Sequence, residues 1–188
     1  MPGNSRGQNR NIRCQRCWLE KNKETPSHVL GICPYGEDRR IARHHSVKYR
    51  INALLTAKGF ACYDEVECID GNNRNRYVDI LAFAPNSNKA YIIDPTIRFE
   101  TNADLDTIVQ REKEDRYQSC ISDLSLQYAH MGQRDYEVLG VWFGSRGTIG
   151  RTALELFEKF NLDKRELPDI AESILVASLQ MIHYHIYG

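Results

Sequence analysis

Residues 74–100 read RNRYVDILAFAPNSNKAYIIDPTIRFE, and the reading of this stretch decides the fold. Two apolar, β-branched runs, residues 77–84 and 90–97, flank the turn-forming Pro85-Asn86-Ser87-Asn88, which predicts a β-hairpin. Each run carries a single acid, Asp79 in the first and Asp94 in the second. With the turn centred between Asn86 and Ser87, Asp79 faces Asp94 across the ladder. A loop of residues 86–87 and a loop of residues 85–88 give the same register. Directly opposed side chains have Cβ atoms about 5 Å apart, and like charges there repel. Two carboxylates in otherwise apolar strands are costly unless something positive sits between them. A divalent cation with oxygen ligands is the natural occupant. The plain alternative is a distorted register in which one Asp caps a strand end.

Working outward, residues 60–69 form a preceding strand, with Glu65 and Glu67 on one parity and Cys62 and Cys68, read as core thiols, on the other. Before it, residues 37–58 read as a helix between Gly36 and Gly59. Ile41, Val47, Ile51, Leu54 and Leu55 share one face of that helix, and Arg39, Arg43 and Arg50 align beside it. Such a stripe suits a phosphate backbone; the competing reading is a solvated face. His44 falls inside the apolar stripe and reads as a packed histidine, with His45 at its border. After the hairpin, residues 103–131 read as one long amphipathic helix opened by Asn102 as N-cap. Residues 135–143 form a fourth strand, ended by Gly144-Ser145-Arg146-Gly147. Helices at 151–160 and 168–184, joined by a turn at 162–167, close the chain. His183-x-His185 has chelating spacing but reads as a frayed surface pair.

One residue of the long helix breaks its own pattern. Advancing about 100° per residue, Leu105, Val109, Cys120, Tyr117 and Leu124 fall within roughly 120° of arc, the face that packs on a sheet. Lys113 lies in the middle of that arc, while Arg111, Glu114 and Asp115 point elsewhere. A lysine at the centre of a core-facing stripe needs a partner for its ammonium, and the sheet beneath carries Asp79 and Asp94. The alternative is that Lys113 snorkels past the sheet edge to water.

The amino-terminal part is of another kind. Residues 1–12 are rich in Gly, Asn and Arg and read as a disordered tail or the cut end of something longer. Cys14 and Cys17, then His28, then Cys33 follow as C-x2-C-x10-H-x4-C. Three thiols and an imidazole within twenty residues are a tetrahedral zinc set. A segment this short has almost no core of its own, so a metal would supply its folding energy. Free, unrelated thiols are the other reading.

The zero net charge hides a split. Residues 1–60 hold 12 Lys+Arg against 4 Asp+Glu, whereas residues 61–188 hold 13 against 21. A basic third joined to an acidic remainder suits polyanion binding at one end and cation binding at the other. No run of about eighteen apolar residues occurs, so no membrane partner is expected. The start, MPGNSRGQNRNIR, has no signal-peptide pattern, and six cysteines without one predict a reducing, intracellular setting.

The order helix, three antiparallel strands, helix, strand resembles the α/β core of restriction-endonuclease-like nucleases of the PD-(D/E)xK type. The Cys-Cys-His-Cys set, GEDRRIARHH, RYVDI and YIIDPTI, in that order, are more specific. They resemble the carboxy-terminal zinc knuckle and restriction-like endonuclease of site-specific non-long-terminal-repeat retrotransposon proteins. The resemblance covers residues 14 to about 145. It implies a tail at 1–12, a zinc knuckle at 13–36, an endonuclease core at 37–146 and a helical extension at 147–188. It implies structural Zn²⁺ on Cys14, Cys17, His28 and Cys33, and catalytic Mg²⁺ or Mn²⁺ on Asp79 and Asp94. Glu67 becomes the auxiliary acid of the first strand, and Lys113, within REKEDRY, the catalytic lysine. Arg39, Arg43 and Arg50 become DNA contacts. In that family the enzyme nicks genomic DNA to prime reverse transcription, which implies a nuclear setting, DNA and element RNA as partners, and a reverse transcriptase portion elsewhere. The chain departs from the family in having Val78 where Pro usually precedes the first aspartate. Thr96 stands where the wider nuclease pattern has Lys, and no YxDD-type polymerase motif is present. Two other readings keep the same residues: a nucleic-acid-binding remnant without catalysis, and a zinc module that recruits a protein.

Overall fold

The computed structural model describes residues 13–17 and 23–188. The tail expected at 1–12 lies outside them. The chain forms an α/β structure around one four-stranded mixed sheet. Its elements are α1 (Pro26–Gly31), α2 (Glu37–Ala57), β1 (Ala61–Ile69), β2 (Asn75–Phe83), β3 (Lys89–Arg98), α3 (Leu105–Tyr117), α4 (Ile121–Gln127), β4 (Asp135–Gly144), α5 (Arg151–Lys159) and α6 (Glu166–Tyr187). The strand order is β1-β2-β3-β4. The first three strands run antiparallel, and β4 joins β3 in parallel.

The hairpin has the expected register: Phe83 pairs with Ala90 and Ile80 with Ile93. Ala84 N–H donates to Lys89 O at 3.0 Å, closing the loop of residues 85–88. Within it Asn86 takes φ +53, a left-handed conformation that asparagine tolerates. Helix α2 stops at Gly59, whose φ of +88 suits a residue without Cβ.

Helices cover both faces. Against one, Val47, Ile51 and Leu55 of α2 pack with Ile80, Ile93, Val141 and Phe143 of the sheet and with Leu156, Phe157, Ile170 and Ile174 of α5 and α6. The stretch 147–188, expected as an extension, is therefore part of the main core. Ile41, placed by periodicity on the apolar face, is instead 47% exposed. On the other face, Tyr117, Cys120 and Leu124 cover Cys68, Val78, Leu81 and Ile92.

The single helix expected over 103–131 is broken. A 3-10 turn at Gln118–Cys120 separates α3 from α4, and another covers Ala129–Met131. A straight rod would leave the twisted sheet; the tightened turn lets Leu124 and Tyr128 continue over β1 and β2. Asp123 then accepts the Ile69 N–H at 2.9 Å. Asn102 does not cap α3. Its Oδ1 accepts from the N–H of Asp104, the residue that precedes α3, at 3.0 Å.

Candidate functional site

The β2–β3 ladder ends at Ile80 and Ile93, and the next opposed pair is Asp79 and Asp94. One oxygen of each and a ring nitrogen of His44 lie within 4.8 Å of one another. Like charges at such a spacing repel by on the order of 3–4 kcal/mol at an effective dielectric near 20. Asp94 is buried and well held. Lys113 Nζ stands 2.8 Å from its Oδ1, Tyr117 Oη donates to its Oδ2 at 2.8 Å, and Thr96 Oγ1 donates to Oδ1 at 3.3 Å. The Tyr117 hydroxyl has a second acceptor in Tyr77 O at 2.9 Å. Asp79 pairs with His44, whose Nε2 stands 3.1 Å from its Oδ2. Burial pushes the Asp79 carboxyl above the usual carboxylate range; the Asp94 charge adds to this, and the His44 hydrogen bond opposes it. On His44, burial pulls the imidazole down, but hydrogen bonds to Asp79 and Pro95 O and the two carboxylate charges leave it raised overall. Burial and Asp94 push the Tyr117 phenol far up, so it stays a donor.

Lys113 reaches Asp94 because of one glycine. Gly140 of β4 pairs with Asp94 in the parallel register. A Cβ there would meet Val109 O at 2.9 Å and Lys113 Cγ at 3.0 Å. Without it, α3 lies directly on β4, and Gln110 Oε1 accepts the Gly140 N–H at 2.7 Å. Lys113 is buried while Arg111, Glu114 and Asp115 are exposed, as the helical arc required.

The first-strand acid expected at Glu67 is elsewhere. Glu67 accepts from Asn75 Nδ2 at 2.7 Å and Tyr77 Oη at 3.3 Å, away from the aspartates. The residue level with Asp79 in the register is Glu65, flanked by the pairs Asp64–Ile80 and Val66–Val78. Glu65 has φ +51, and alternation fails there. Cys62 packs on the α2 face but Cys68 on the α3 face, and Val78 and Ile80 likewise part sides. Parity along a strand assumes an uninterrupted pleat, and β1 and β2 both lose it at this level. Glu65 is paired with Lys48, whose side chain is fully buried, and stands 3.6 Å from His45.

Within the arginine stripe Arg43 is withdrawn from solvent, whereas Arg39 and Arg50 stay exposed. Arg43 is buried, donating to Ser178 Oγ at 2.7 Å and Leu30 O at 3.0 Å, and burial brings its guanidinium down to about 10. Arg39 lies 3.9 Å over the Tyr184 ring, and Arg50 pairs with Glu166. All three meet a residue of α6, which covers the flank of α2 at Arg43 and leaves Arg39 and Arg50 exposed.

Cys14, Cys17, His28 and Cys33 converge into a second cluster that can hold a metal ion such as zinc, their ligand atoms all within 4.8 Å. Cys14 and Cys33 sulfurs are 3.8 Å apart, and Cys17 Sγ is 3.4 Å from His28 Nε2. Ligands on one tetrahedral zinc would stand about 3.8 Å (S to S) and about 3.6 Å (S to N) apart. Burial, with Cys14 and Cys17 adding, pushes the Cys33 thiol up to about 11; burial, and then His185, pulls His28 down, favouring the neutral ligand form. The expectation for His185 is overturned. It is 5% exposed, with Nε2 3.6 Å from Cys14 Sγ and 3.2 Å from Glu24 Oε1. Its Nδ1 lies 3.9 Å from Cys33 Sγ. Arg16 Nε donates to its carbonyl at 2.7 Å. The last turn of α6 is docked on the cluster and cannot fray as a free end would.

The sequence reading missed His44, Glu65, Lys48, Tyr117, Gly140 and His185 as parts of these sites. For His44 and Lys48 the signal existed: both are polar residues on a sheet-facing helix stripe, the argument applied to Lys113. The pairing of His185 with residues 14–33 left no local trace. Among the described residues, no helix is long and apolar enough to cross a membrane. The chain matches no family model, and no curated protein sequence matches it.

Proposed function

We propose that the chain is a divalent-metal-dependent DNA endonuclease with a restriction-like core and an amino-terminal CCHC zinc knuckle. Its DNA nicking would prime reverse transcription for a non-long-terminal-repeat retrotransposon. The observation that carries this reading is the convergence of Asp79, Asp94 and Lys113 where the central strands part. Two opposed carboxylates with one lysine, held on Asp94, leave a deficit of positive charge at Asp79, which fits a divalent cation. Asp79 and Asp94 would hold Mg²⁺ or Mn²⁺. The ion supplies Lewis-acid polarisation of a phosphodiester and activation of water.

The remaining groups have roles that follow from their contacts. Tyr117 and Thr96 keep the Asp94 carboxylate in one orientation. Lys113 has three N–H donors, of which Asp94 takes one; another can meet a phosphoryl oxygen as negative charge grows on it. Thr96 in the usual lysine position is then no loss, since Lys113 brings its ammonium to the same carboxylate from α3. The zinc cluster is structural, and its closed set of four donors leaves no position for substrate. A nuclear site of action and a reverse transcriptase portion in another segment or chain belong to this reading.

The test is supercoiled plasmid incubated with the protein and Mg²⁺ or Mn²⁺. Wild type should convert it to relaxed circles, whereas Asp94→Asn should not, with DNA affinity within a few-fold. Nicking by Asp94→Asn at the wild-type rate would place the chemistry elsewhere. DNA binding without nicking by either protein would favour the remnant that only binds nucleic acid.

A further inference from the structure

We propose that His44 is itself a ligand of the ion at the acidic site, and that it makes the site select a first-row transition ion over Mg²⁺. This inference rests on reading Asp79 and Asp94 as a divalent-cation centre. His44 lies on α2, outside the hairpin and outside α3, so it adds a third element to the ligand set.

The geometry is that of a donor atom aimed at the site. His44 Nε2 is 3.1 Å from Asp79 Oδ2 and 2.9 Å from Pro95 O. Ligands about 2.1 Å from one ion in octahedral geometry stand about 3 Å apart when adjacent. Both distances match such an edge, and the Asp94 oxygen closes the group within 4.8 Å. A histidine that merely filled the core would lie among apolar side chains, as Val47, Ile51 and Leu55 on the same helix do. His44 Nε2 instead meets two oxygens, and its ring lies 5.9 Å from the His45 ring.

Chemistry turns this geometry into a preference. Mg²⁺ takes oxygen ligands and gives up its waters reluctantly. Imidazole suits transition ions, and carboxylates accept Mn²⁺ as readily as Mg²⁺. One nitrogen beside two carboxylates therefore raises affinity for the transition ion without a matching gain for Mg²⁺. Thiolates, which would draw zinc, are confined to the other cluster.

The experiment uses the zinc-loaded full chain without DNA, so it does not depend on nicking. Mn²⁺ binding is followed by electron paramagnetic resonance, Mg²⁺ is added as competitor, and pulsed measurements read nitrogen coupling to bound Mn²⁺. Wild type should show a coupling that changes when its histidines carry ¹⁵N and persists in His45→Gln. His44→Gln should lose it, and Mn²⁺ affinity should fall by at least about tenfold, the lower range for groups that only orient ligands, with Mg²⁺ affinity changing less. The wild-type coupling needs no variant, so a misfolded His44→Gln leaves the test intact. Mn²⁺ binding that depends on Asp94 but shows no nitrogen coupling would overturn this inference alone. Mn²⁺ binding indifferent to Asp79→Asn and Asp94→Asn would overturn the acidic centre as well.

Discussion

The four donors of the Cys/His cluster lie within twenty residues of one another, whereas the acidic site draws its residues from α2, β2, β3 and α3. The first can be gathered by a metal while the rest of the chain is still unfolded, since only short loops must close. The second exists only once the sheet has formed and both helices have docked. Yet the two are linked through α6. Its last turn brings His185 to Cys14 and Cys33, and its body holds Arg39, Arg43 and Arg50 of α2. That helix carries His44 to the aspartates. The local cluster thus anchors the helix on which the long-range site depends.

The largest expected effect tests that link. Purified protein should carry one zinc per molecule on Cys14, Cys17, His28 and Cys33. Structural zinc contributes apparent binding energies on the order of 10–16 kcal/mol in small zinc modules, so chelation should free residues 13–17 and 23–36 and the end of α6. Hydrogen exchange would then rise at both places together. Zinc-free protein, with the α6 end still protected, would show that the two regions are not coupled.

Next in size is Lys113→Met, which keeps length and apolar bulk but removes the charge. Nicking should fall by about 10²-fold or more, the scale for loss of one transition-state donor, with circular dichroism and zinc content unchanged. A folded Lys113→Met protein that nicks like wild type would reduce the lysine to a structural partner of Asp94.

A smaller effect separates α2 as a DNA face from α2 as a packing face. Arg43→Leu leaves Ser178 Oγ and Leu30 O without their buried donor, an expected loss of about 1–3 kcal/mol seen as a lower Tm. The salt dependence of DNA binding should stay as it was. A slope that falls by about 0.9, one phosphate contact on duplex DNA, with Tm unchanged would restore the original reading of the stripe.

The smallest effect concerns the end of the sheet that holds β3 against β4. Burial alone would raise the Glu100 carboxyl, but the Arg146 backbone N–H, its guanidinium and Thr148 Oγ1 together hold it below its ordinary value. A depressed carboxylate contributes stability that is present above its unfolded pKa and lost as pH falls through its folded one. Glu100→Gln should therefore lower Tm at neutral pH and have less effect as pH falls through and below the usual carboxylate range. An equal loss at every pH would mean that the contact is steric.

Register, the facing aspartates and the zinc spacing were legible in the sequence because each depends on neighbours along the chain. A turn sets the pairing of the strands it joins, and short loops limit which thiols can meet. Lys113 was legible for a related reason: helical periodicity is a local rule, and a lysine inside the apolar arc contradicts it visibly. Three things were decided by tertiary structure alone. The left-handed Glu65 breaks the pleat, so strand parity pointed to Glu67 when Glu65 lies level with Asp79. Helix α6 returns over α2 and buries Arg43, which an isolated helix would show to water, while Arg39 and Arg50 meet α6 from exposed positions. Its last turn also brings His185 across the whole length of the chain to the cysteines. None of these contacts leaves a periodic or spacing signal, because the residues that make them meet only after hydrophobic packing has brought distant elements together.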